Sequence, residues 1–576
     1  PESASRSDAA AGLEALPWVN AGALCRGGSG RDGATGINRR TVSLGLSAAY
    51  AAEAAADAAP DLPPLLDGLG PVTFPISSDV EKAQAYFNQG LRLTYGFNHR
   101  EAERAFRAAE ALDPTCGICA WGVALVLGPN INAPMFPEAV GPAFSAIARA
   151  QALAKSGSAK ELDLITALAT RYSADPKADR AALDRAYADA MMTVAGLYPD
   201  DDDIATLAAE AIMDLSPWDY WTAEKEPKGR VGEAVGLIEK VLERNPDHIG
   251  AIHLYIHLME VPRADKALPF ARRLAGQTPA SGHLVHMPSH ITYRLGLYKE
   301  SLESNIDAVK ADEMFLATSD DQGLYRYVYY PHNVHFLMTS AQLMGDRKTA
   351  LANAVKLSQI VSMDVLEAAP IAQAIAAAPL LAEAQFGAAD AIMDRTAPDE
   401  KFPFLTLHWH FARARAFIVE GKIDAAKAEL ARIDAVAKMP AYTGLDQAGL
   451  PASLIGTIAE GIVRGRIAWA EGNLAAAAEH LTRAAEAQDL IPYMEPPFWH
   501  IPVRQTLGAV HLAAGNPDAA EKAFRRALML FPNNAFALHG LAEAYEAQGK
   551  EDLAGRTRTQ FEKVWAGDGK PGLKDL

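Results

Sequence analysis

A recurring spacing of small residues and prolines governs what this chain can fold into. Between residues 83 and 114 it places Tyr86, Gly90, Leu93, Ala102, Phe106, Ala109 and Pro114. Gly508, Ala520, Phe524, Ala527 and Pro532 fill the same places in a unit that starts at 501, and Ala542, Tyr545, Ala554 and Phe561 continue it in a unit that starts 34 residues later. Small residues at these intervals let two helices touch, and the proline ends the pair. A hairpin of this kind buries its apolar stripe only against its neighbours, so the pattern predicts an all-α solenoid. Strand-like alternation is almost absent.

The spacing resembles the tetratricopeptide repeat. The same register fits 407–440, 458–491 and 248–281, then units starting at 282 and near 331, while less regular helices and the loops at 128–138 and 216–221 occupy the stretch between. The resemblance implies a right-handed superhelical solenoid running continuously over 66–576, with central units at 200–345 and regular units at 400–565. The strings Tyr86–His99, Asp113–Gly122, Gly128–Met135 and Gly282–Tyr298 also resemble a bacterial family of large tetratricopeptide-repeat proteins. That likeness implies the fold and assigns no chemistry, so no catalytic residue is taken from it.

Eight of the fifteen histidines lie between His248 and His335. His253 and His257, His286 and His290, and His332 and His335 are spaced three or four residues apart, which puts each pair on one helix face. In the repeat register His283, His286, His290, His332 and His335 take places that line the concave wall, and Glu210 and Glu260 fall at similar places in their own units. Imidazole is the commonest protein ligand for transition metals, so the set reads as a metal site. Histidines that only pack or hydrogen-bond are the plainer alternative. Six or seven imidazoles exceed the three that a catalytic ion usually takes, which points to two ions or to extra groups for substrate. Copper is preferred, with zinc or iron as alternatives, and Glu210 or Glu260 is the expected bridging ligand or general base. The chemistry expected is activation of water or dioxygen against a small organic substrate. Tyr327 and Tyr330, from an aromatic insertion, and Trp218 and Trp221 are the candidate substrate wall.

Composition narrows the partners. With 54 Lys+Arg against 71 Asp+Glu the net charge is -17, which excludes a polyanionic nucleic acid. No apolar run is long enough to span a bilayer. The first 65 residues are rich in Ala, Gly and Ser and lie outside the expected fold; Asn38–Leu44 resembles a twin-arginine leader with an Ala49–Ala51 cleavage site, so export to the periplasm is one expectation and a plain tail the other. Cys116 and Cys119 have the spacing of a short-range disulfide or inert pair. A peptide-binding scaffold, with a protein partner or homo-oligomer, and a metal-storage protein are the competing readings.

Overall fold

The computed structural model describes residues 62–319, 321 and 323–576. The leader-like motif and its cleavage site lie outside the described residues. Among those residues the structure is helical, with two isolated bridges, Asn130 with Ala133 and Trp221 with Pro227, and no strand. The all-α expectation therefore holds. No helix of the described residues is long and apolar enough to cross a membrane. By its internal contacts the chain divides into two compact units.

The first unit runs through Ile291 and takes in Ser304–Asn333. It starts with α1 (Glu81–Tyr95), α2 (His99–Leu112) and α3 (Gly117–Val126). Phe106 of α2 is fully buried, and a Cβ at Gly90 or Gly122 would come within 2.7 or 2.4 Å of its ring. The small residues of the repeat are thus dictated by one aromatic ring. Cys116 and Cys119 are joined in a disulfide at the start of α3.

Further along, α4 (Asp202–Met213) is capped by Asp201, whose carboxylate accepts from the Ile204 N–H, with two more acids in its first turn. His248 caps α5 (Ile249–Met259), with Nδ1 accepting from the Ala251 N–H. After α6 (Ala264–Leu274) the chain forms the short α7 (Gly282–His286), a turn at Met287, and α8 (Pro288–Arg294). Proline starts the second of these helices because its missing N–H has no partner to lose there. The unit draws on α9 (Tyr298–Leu316), a π-helical turn at Tyr325–Tyr329, and the start of α10 (Tyr330–Met344).

The second unit comprises Thr292–Glu303 and Val334–Leu576 in its described part. It includes α11 (Pro403–Val419) and closes with two regular hairpins, α12 (Val503–Ala513) with α13 (Pro517–Leu530), and α14 (Ala535–Ala547) with α15 (Glu551–Val564). Here Phe524 repeats the arrangement around Phe106: a Cβ at Gly508 or Gly540 would lie 2.6 or 2.2 Å from its ring.

Candidate metal centre

The histidine geometry follows from two helical pairs. On α5, His253 and His257 stand one turn apart; on α7 and α8, His286 and His290 do the same across the turn at Met287. Together with His283 these rings are at most 3% exposed. The hydrogen-bond partners fix the tautomers. His253 Nδ1 lies 2.6 Å from the Tyr95 carbonyl and must donate to it. His257 Nδ1 faces Glu260 Oε1 at 3.4 Å, His290 Nδ1 faces Glu260 Oε2 at 2.8 Å, and His286 Nδ1 lies 2.7 Å from Asn305 Oδ1 and 3.1 Å from Ser289 Oγ.

The Nε2 atoms of His253 and His257 lie 3.2 Å apart, and those of His286 and His290 lie 3.0 Å apart. An extra proton on one ring would bridge them, yet burial, with charge on the neighbouring imidazoles, holds His253, His257 and His286 well below the usual imidazole range. Nitrogens this close can be reached by a single ion.

Each pair has a third imidazole. His283 approaches the first, its ring centroid 5.0 Å from that of His253, and His332 approaches the second at 4.7 Å from His286 and 5.6 Å from His290. Within each trio the ligand atoms all lie within 4.8 Å of one another. Neither nitrogen of His283 has a hydrogen-bond partner. Glu260, 1% exposed, joins the trios by giving one oxygen to His257 and the other to His290. His257, Glu260 and His290 form a third group of the same tightness, but with both Nδ1 atoms turned to the carboxylate its geometry is that of a group orienting two ligands.

Aromatic rings wall the first trio. Phe97 lies 4.4 Å from His253, 5.8 Å from His283 and 6.4 Å from His257, the last nearly parallel, and Trp218 stands 4.9 Å from His257. Both residues have positive φ, 55° and 65°, in a region that bulky side chains avoid. Tyr329 packs 4.5 Å from His283. Tyr325 Oη accepts from the His283 N–H and donates to Asp312 Oδ1, while Asp312 Oδ2 accepts from the Asn333 amide. Burial pushes the Asp312 carboxyl up to about 7.

Several expectations need correcting. Glu210 does not join the histidines: its place on α4 sets it in a small cleft with His99, Arg171, Tyr187 and Asp214. There burial and the Asp214 charge raise its carboxyl to about 8. His335 belongs to the second unit, where its ring lies 6.0 Å from that of His500. One turn on α10 separates it from His332, and a register that counts both as inward does not resolve which ring goes where. The site is buried, whereas a wall lining an open groove was expected. Glu260 lies between His257 and His290, with one oxygen toward each ring. Of the proposed substrate wall Trp218 packs against His257, the Trp221 indole donates to the Leu258 carbonyl, Tyr330 Oη donates to Glu313, and Tyr327 is half-buried with its N–H on the Gly323 carbonyl. Phe97, the Tyr95 carbonyl, Ser289 and Asn305 went unread in sequence.

The tetratricopeptide repeat family model matches residues 502–554, which hold α12, α13 and α14. The hairpins around Phe106 and Phe524 are built alike, and the second of them lies within the matched residues. Among solved structures it is similar to the human IFIT1 dimer with PPP-AAAA, at 11% identity over 84% of this chain and 91% of that one, with a TM-score of 0.30. It is also similar to yeast Tom70, at 13% identity over 84% and 92% with a TM-score of 0.27, and to the P58(IPK) TPR domain, at 13% over 81% and 98% with a TM-score of 0.21. Likeness at this level bears on neither chemistry nor partner. No curated protein matches the chain.

Proposed function

We propose that the two histidine trios of the first unit bind two transition-metal ions and that the protein is a metalloenzyme acting on a small organic substrate. The observation that carries this reading is the tightness of the two imidazole trios: in each the ligand atoms all lie within 4.8 Å of one another, with Nε2–Nε2 contacts of 3.2 and 3.0 Å inside them. Nitrogen-only ligation favours copper, then zinc; with Glu260 turned to Nδ1 protons, the carboxylate that iron would favour is missing from the ligand set.

Ions held there supply Lewis acidity or, with copper, one-electron chemistry toward bound water or dioxygen. The protein's own contribution is orientation and exclusion of water. Tyr95, Glu260 and Asn305 aim four rings, and Phe97, Trp218 and Tyr329 keep the first trio dry. The test is metal analysis of untagged protein, followed by the double change His286→Ala and His290→Ala. We expect close to two ions per chain in the wild type and one or none in the variant, with the helical content kept. Absence of stoichiometric copper, zinc, iron and manganese from the wild type would sink the proposal. Reversible release without turnover would assign the site to metal storage instead, and retained partner binding without any metal effect would leave a protein-binding scaffold.

A further inference from the structure

A cavity of about 60 Å³ in the first unit is lined by Phe97, His99, Arg100, Asn130, Asp321 and Tyr325, with aliphatic side chains between them. By the share a water needs, it holds about four to six atoms of that size. Two of its lining residues also border the first histidine trio. Phe97 packs on His253, His257 and His283, and Tyr325 Oη takes the His283 N–H. One aromatic ring therefore has the cavity on one side and three imidazoles on the other.

The backbone at Phe97 is held for that ring. The Asn98 N–H bonds the Leu93 carbonyl and the Phe97 N–H bonds the Thr94 carbonyl, which is the Schellman ending of α1 with Phe97 at the left-handed place that glycine prefers. Glycine stands one residue earlier, at Gly96, where φ is -92°. The helix thus ends on a phenylalanine in an unfavourable conformation, although a glycine is adjacent. Strain of this kind persists where a side chain is needed.

The polar equipment of the cavity is sparse. His99 is kept neutral, its range lowered to about 4 by burial, and Asn130 faces its ring nitrogens at 3.3–3.4 Å. The one cation among the lining residues is Arg100, whose Nη1 is 3.8 Å from Asp321 Oδ1, too long for a hydrogen bond. Asp321 is 1% exposed and accepts from the Arg326 N–H at 3.1 Å, so its carboxylate is supported without Arg100. A guanidinium with donors to spare beside an apolar chamber matches a carboxylate on a short aliphatic chain. The two trios also differ: His283, with no partner on either nitrogen, lacks the carbonyl or carboxylate that aims His253, His257, His286 and His290.

We infer that this cavity is the binding site for the substrate, a short-chain carboxylate of about four to six non-hydrogen atoms, anchored at Arg100 and separated from the His253, His257 and His283 trio by the Phe97 ring. The inference rests on the metal-site reading for its chemistry and on the cavity alone for its binding.

The experiment titrates propionate into purified protein, metal-free and metal-loaded, following the chemical shift of the ¹³C-labelled carboxylate, with benzoate as a probe too large for the chamber. Wild type should bind propionate in both states and leave benzoate unbound. Arg100→Gln, at a partly exposed position, should weaken propionate at least tenfold with the metal content unchanged. In cobalt-substituted protein propionate should shift the visible spectrum, and Phe97→Leu should change that shift. No binding to the wild type, or equal binding to Arg100→Gln, overturns the inference whatever the metal content. Arg100-dependent binding to a protein that holds no metal would uphold the cavity while the metal reading fails.

Discussion

Glu260 is the residue on which the two trios depend together. It has no exposed surface to speak of, and its two oxygens serve imidazoles thirty-three residues apart, His257 and His290. A glutamine in its place keeps the size but turns one acceptor into a donor aimed at an N–H. Removing such an orienting partner typically costs 10–100-fold in metal affinity. Glu260→Gln should therefore weaken both ions, read as two shifted transitions in a competitive chelator titration; loss at one trio alone would show that the carboxylate serves a single site. His283→Ala should by contrast release only one ion, because neither of its ring nitrogens hydrogen-bonds to a member of the second trio.

At the level of helices, the fit between Phe106 and its glycines makes a sharp prediction. Gly122→Ala would put a methyl 2.4 Å from the ring, and overpacking a core in this way costs about 1–3 kcal/mol. The measurement is the urea midpoint, and Phe106→Leu in the same chain should recover part of the loss. These glycines were legible in the sequence because each place in a helical hairpin has one neighbour, so period and chemistry coincide. The pairing of His253 with His257 and of His286 with His290 was legible for the same reason. Glu210 was misread: its place in the register is equivalent to that of ligands in other units, but Arg171 and Asp214 supply its surroundings, and no spacing rule reports them. Phe97 was illegible as a site residue because a phenylalanine at a helix end reads as core, and its positive φ is a property of the fold. Tyr95 contributes only a carbonyl, which every residue has.

Across the whole molecule, buried neutral histidines set the response to acid. Burial lowers His99 and His408 to about 4 and His500 to about 3. An unfolded chain takes up these protons near pH 6.5, so below that value the unfolded state binds more protons than the native one and stability falls as pH falls. The loss continues until the native values are reached, near pH 4 for two of the rings and near 3 for the third. Each ring contributes about 1.4 kcal/mol per pH unit in that window, so the three together give a slope of up to about 4 kcal/mol per unit. Urea unfolding of the metal-free protein at pH 7, 6 and 5 should show a steepening decline, and a flat profile would place these rings in contact with solvent. The site histidines lie in the same direction, well below their usual range, so bound ions meet little proton competition at pH 6.

The two trios draw their members from distant parts of the chain: His253 and His257 with His283, His286 and His290 with His332. An ion seated in either one is a cross-link closing a loop of some thirty residues in the first trio or some forty-six in the second, and its grip restricts the unfolded chain as a disulfide would. On the proposed reading, metal supply would set the protein's lifetime as well as its chemistry, since a chain without its ions would regain the freedom that proteases exploit between residues 253 and 332.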